Sequence, residues 1–197
     1  MRKTLPAAAA ILALTGGAAL GQANIRPDPT PRLPPQAGQG LPLEDRQFLE
    51  RAVNLSEAEV EAGKLAAERS ANPALKEFGQ LMTAEHGKLR QSAEEIARRN
   101  GIAVQPHASR DWWTGELPRI GGLAGQEFDR EYLRWQLQAH LAMADLYQTQ
   151  ASHSALTDLS KFAITTLNLV QRHFDRAKQL GAEHGVAIDT VKQPPQY

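Results

Sequence analysis

The chain has no cysteine among its 197 residues. Disulfides, thiolate nucleophiles and thiolate metal sites are therefore excluded, as is the lipid-carrying cysteine of a lipoprotein. It also lacks a charge excess, with 22 basic against 22 acidic residues. A balanced surface offers no electrostatic pull on nucleic acid or on an anionic membrane. No apolar–polar alternation of strand length occurs, which argues against a sheet fold and against an outer-membrane barrel. No glycine-rich phosphate loop, Ser/His/Asp spacing or basic–aromatic interleaving is present, so no familiar enzyme class is indicated. Aromatics are sparse at 6%, which makes the adjacent pair Trp112-Trp113 conspicuous. What remains is ordinary for a soluble protein: 42% hydrophobic residues and enough length for one core with tails.

Residues 1–23 read as a secretory signal. Arg2 and Lys3 open it, an apolar stretch from Leu5 to Leu20 follows, and Gly21-Gln22-Ala23 supplies small residues for a peptidase. A membrane anchor is the competing reading. The stretch is short, alanine-rich and broken by Gly16-Gly17, against the ~20 apolar residues a span requires. No Arg-Arg pair is present, so general secretion is expected rather than the twin-arginine route. Cleavage before Asn24 would deliver a periplasmic or secreted protein with no transmembrane segment. Residues 24–42 hold Pro27, Pro29, Pro31, Pro34, Pro35 and Pro42, which predicts an extended, disordered tether.

From Leu43 onward the apolar positions recur at three- and four-residue steps. The first helix is predicted from Leu43 to Ala71, with Phe48, Ala52, Leu55, Glu59, Ala62 and Ala66 on one face. Asn72-Pro73 marks the start of a second, striped by Leu75, Phe78, Met82, His86 and Ala93. It stops at Arg98-Arg99-Asn100-Gly101. The segment from Ile102 to Gly125, interrupted by Pro106, Gly115, Pro118, Gly121 and Gly122, reads as a long loop packed over the body by its tryptophans. Two more helices follow, about Gln126 to Ala151 and Ala155 to Leu180, joined at Ser152-His153-Ser154. His140 falls at the edge of one stripe and His173 within the other. Residues 43–185 thus predict a ferritin-like four-helix bundle of two antiparallel hairpins joined by a long crossover, with a loose tail over 186–197. The core is expected to contain Phe48, Leu55, Phe78, Met82, Trp135, Met143, Leu159 and Val170.

Four segments carry a family resemblance: Glu59-Val60-Glu61-Ala62-Gly63-Lys64-Leu65-Ala66, Lys76-Glu77-Phe78-Gly79 with Met82 and His86, Gly125-Gln126-Glu127-Phe128-Asp129-Arg130-Glu131-Tyr132 with His140, and Leu167 with His173. Together they resemble the exported bacterial ferritin-like family called domain of unknown function 4142, members of which are sometimes labelled outer membrane proteins. The resemblance runs from Asp45 to Leu180. It implies the bundle and export, and no established activity. Two departures stand out. The family pattern has Asp before the first histidine where this chain has Glu85. It has Pro after Leu167 where this chain has Asn168.

The chemistry-bearing residues are Glu59, His86, His140 and His173, one on each predicted helix near its middle. Di-iron bundles need Glu-x-x-His motifs. Here the residues three before the histidines are Thr83, Leu137 and Val170, so a ferritin-type oxidase centre is not expected. Three readings stay open. The four residues can ligate Zn, Cu or Fe, form a buried hydrogen-bond network that fixes helix register, or sit separately at half-exposed positions. Met82 and Met143 read as core fillers. At the level of function, two classes remain: a non-catalytic envelope or stress-associated protein, binding an unknown envelope partner or itself, and a metal-binding bundle.

Overall fold

The computed structural model describes residues 41–104, 112–154 and 156–191, Trp112 by its backbone alone. The expected signal segment and nearly all of the expected tether lie outside them. The described residues form five α-helices and no strand: α1 Leu43–Arg69, α2 Pro73–Arg99, α3 Trp112–Gly121, α4 Gly125–His153 and α5 Thr157–Glu183. A single 3-10 turn, Ile188–Thr190, follows.

The helix ends follow from local chemistry. Glu44 and Asp45 lie at the positive end of the α1 dipole. Ser70 leaves helical geometry and its Oγ accepts from the Asn72 amide at 3.1 Å. The Asn72 side chain then accepts from the amides of Ala74 (2.9 Å) and Leu75 (3.3 Å), with Pro73 at the first helical position. This short turn forces α1 and α2 to lie antiparallel. Gly101 ends α2 at φ 70°, where the Ile102 amide bonds back to the Ala97 carbonyl at 2.9 Å. Asn168 preserves a donor that proline would remove, and α5 runs through it without a break.

Two expectations are corrected. The long connection holds a ten-residue helix, α3, where Gly115 and Pro118 predicted only loop. Its buried residues Trp113, Leu117 and Ile120 recur at helical spacing. Covering the bundle with that stripe outweighs the local penalty of an internal proline. The Trp135 indole donates to the Trp113 carbonyl at 3.1 Å, which ties α3 to α4. The tail is not loose where it begins: Val186 and Val191 are buried, and the Val186 amide bonds to the Gly181 carbonyl at 2.8 Å.

Each hairpin packs most extensively on itself, α1 on α2 and α4 on α5, and the hairpins meet through α1–α4 and α2–α5. Register shows both cross pairs to be antiparallel. Asp45 meets Gln150 while Glu59 meets Gln136, and Asn72 meets His184 while His86 meets His173. Consequently α2 and α4 run the same way. The eight residues expected in the core are all buried. No described helix is long and apolar enough to cross a membrane.

Candidate functional site

Near the middle of the bundle, α2, α4 and α5 each turn one histidine inward. His86 and His140 have no exposed surface and His173 has 2%. Each ring offers one nitrogen, and the three lie within 4.8 Å of one another. The rings pack edge-on or tilted, with centroids 5.2–5.6 Å apart. The stripes of α2 and α5 aim two of them. His140 reaches full burial because α4 is covered on several sides, with Leu133, Leu137 and Ala139 buried as well.

Hydrogen bonds fix which nitrogens carry protons. His140 Nδ1 lies 2.9 Å from the Gln136 carbonyl, which can only accept, so Nδ1 is the donor and Nε2 keeps its lone pair. His173 Nε2 lies 2.5 Å from the Glu85 carboxylate, which leaves its Nδ1 as the acceptor. That Nδ1 faces His86 Nε2 at 3.2 Å, and one proton is shared across the gap. His140 Nε2 and His86 Nδ1 have no hydrogen-bond partner.

Burial decides the charge state. It holds His86 well below the ordinary imidazole range, with the neighbouring rings of His140 and His173 adding to the effect. It holds His140 down at about 3, reinforced by His173 and opposed by the Gln136 carbonyl. His173 is also lowered by burial, against the raising influence of Glu85. All three rings are therefore neutral at physiological pH, the state a metal requires.

Glu59 stands apart from the three nitrogens. It lies behind His140, with Oε1 at 3.4 Å from Nδ1 and Oε2 accepting from Gln136 Nε2 at 2.8 Å. Burial pushes its carboxyl up to about 8, and the Gln136 bond only partly offsets this. Two neutral groups at 3.4 Å form a contact rather than an ion pair. The expected fourth donor is thus a neighbour of the His140 ring, and its hydrogen bond is to Gln136.

Two participants did not stand out in the sequence. Gln136 precedes His140 by one helical turn and is fully buried, a spacing that places both on one face. Glu85 lies off the α2 apolar stripe, which reads as a solvated position, and its side chain is 33% exposed. Two surface cavities lie away from His86, His140 and His173. One, of about 540 Å³, is lined by residues including Asn72, Asp129, Arg130 and His184. The other, of about 430 Å³, lies between α1 and α3.

The fold and this layer together define a class: an all-α bundle with a buried cluster of three neutral imidazoles. The family described as "Domain of unknown function (DUF4142)" matches residues 30–180, and the chain belongs to it. Among solved structures it is similar to the crystal structure of a DUF305 fragment from Deinococcus radiodurans. The TM-score is 0.67 at 10% identity, covering 74% of this chain and 99% of that one. That likeness concerns the fold alone. No curated protein matches the chain.

Proposed function

We propose that this protein is an exported metal-binding bundle that holds one transition-metal ion on His86, His140 and His173. The observation that carries the reading is the pattern of lone pairs. A self-contained hydrogen-bond network would leave His140 Nε2 and His86 Nδ1 buried without partners, at ~1–3 kcal/mol each. A metal on the inward nitrogens uses His140 Nε2 directly. It also replaces the proton between His86 and His173, which moves to His86 Nδ1; that nitrogen stays without a partner, so the nitrogen relieved is His140 Nε2.

The spacing agrees. Nitrogens ~2.0–2.1 Å from a tetrahedral metal sit ~3.3 Å apart, and His86 Nε2 to His173 Nδ1 is 3.2 Å. Outer partners on ligand imidazoles set their tautomer and basicity. The Gln136 carbonyl serves His140, and Glu85 serves His173. Three imidazoles suit zinc, copper or iron. The basic start and apolar run of residues 1–23 support action in the periplasm or outside the cell.

Cobalt(II) titration of untagged protein tests the reading, because cobalt reports tetrahedral nitrogen ligation in its visible spectrum. The expected result is saturation at one ion per chain, competed by zinc and lost in His140→Ala. Absence of a ligand-field spectrum in the folded protein would exclude the site.

A further inference from the structure

We propose that Glu85 is the entry port of this centre: it captures the incoming divalent cation at the α2–α5 seam and passes it inward through His173. The inference rests on the metal-binding reading and adds a route to it. The two ends of the cluster differ in their access to water. His86 and His140 have no exposed side-chain surface, whereas the Glu85 side chain is 33% exposed. Between them, His173 spans the boundary. Its Nε2 faces outward to Glu85 at 2.5 Å and its Nδ1 faces inward to His86 at 3.2 Å. One imidazole therefore joins a half-solvated carboxylate to the buried nitrogens.

A hydrated cation meets an anionic oxygen more readily than a buried neutral ring, because only the oxygen attracts it at a distance. Glu85 can release the His173 Nε2–H, take the cation, and leave the His173 ring to turn and bring it inward. Capture changes no covalent bond; on arrival the proton between His86 Nε2 and His173 Nδ1 moves to His86 Nδ1, so both inward nitrogens are free to ligate and the proton count is unchanged. Glu59, by contrast, has no exposed surface and offers an incoming cation no comparable access. Arg172, next to His173 on α5, is exposed and bonds to the Asn168 carbonyl at 3.1 Å. Its fixed positive charge opposes a cation at the same seam.

Stopped-flow mixing of cobalt(II) with metal-free full chain measures both rates. Glu85→Gln keeps an acceptor for His173 Nε2–H and removes the charge. The expected result is association slowed by about tenfold or more, the scale of electrostatic steering, with dissociation slowed as well because exit uses the same route. Arg172→Gln, on the exposed surface, should change association in the opposite direction, making it faster. If Glu85 only orients His173, Glu85→Gln leaves association unchanged and speeds dissociation. That result, or an Arg172→Gln variant that associates no faster, overturns the port. Failure of the wild-type chain to bind cobalt at all would instead remove the centre itself.

Discussion

Glu59 is a carboxylic acid kept neutral by its surroundings. Its ordinary value is 4.5, and burial raises it to about 8 in the folded chain. Between those values the folded state holds a proton that the unfolded chain has lost, so stability falls as pH rises through that window. The histidines act with the opposite sign. Their folded values lie below 6.5, so below that pH the unfolded chain binds more protons and stability falls as pH drops. Glu59→Gln preserves the shape and an acceptor for Gln136 Nε2 while removing the titration. Melting of the chelator-treated protein should give curves for wild type and Glu59→Gln that lie closest near pH 5. They should separate as pH climbs to 9, with the variant more stable. Parallel curves across that range would mean that Glu59 is not held neutral.

At the level of helices, the α1–α2 hairpin depends on two glycines. A Cβ on Gly63 would lie 2.5 Å from the Gly79 carbonyl oxygen and 2.6 Å from Thr83 Oγ1. A Cβ on Gly79 would lie 2.6 Å from the Gly63 carbonyl oxygen. Backbone atoms cannot turn aside, so the helices would have to separate. Gly87, by contrast, has Val60 Cγ2 at 4.0 Å as its nearest neighbour. Gly→Ala gains up to ~1 kcal/mol of helix propensity at either site. At Gly63 that gain meets an overpacking cost of ~1–3 kcal/mol. Denaturant unfolding should therefore show Gly87→Ala stabilised and Gly63→Ala destabilised. A Gly63→Ala chain as stable as Gly87→Ala would show that the hairpin is not tightly packed there. The sequence announced this pair only within two separate family-like segments, because close approach is a property of two helices and periodicity describes one. The same limit explains α3. Its stripe of Trp113, Leu117 and Ile120 was present, but Gly115 and Pro118 are local stop signals, and the surface that overrides them belongs to other helices. The four long helices were readable because each carries a sustained apolar stripe and firm end signals, such as Asn72-Pro73 and Gly101.

For the whole molecule, the hairpin–crossover–hairpin arrangement brings together three residues that lie far apart in the chain. His86, His140 and His173 were readable as inward-facing from their places on or beside three stripes. Their convergence follows from α2 and α4 running the same way, which brings positions 78 and 86 level with 132 and 140. Phe78 meets Tyr132 edge-on with centroids 6.4 Å apart, and His86 meets His140 at 5.6 Å. Glu59 was correctly read as interior, yet its height along α1 places it behind His140 rather than between the rings. Glu85 was hidden because a residue on a wet flank gives no burial signal, even when its tip reaches a buried ring. The most direct measurement of the centre is X-ray absorption at the edge of zinc bound to the untagged, full-length chain. The expected first shell contains three nitrogen scatterers at ~2.0–2.1 Å, with the outer-shell pattern of imidazole rings, and it loses imidazole scattering in His173→Ala. A first shell of oxygens alone, or a spectrum unchanged by His173→Ala, would contradict a metal held by these histidines.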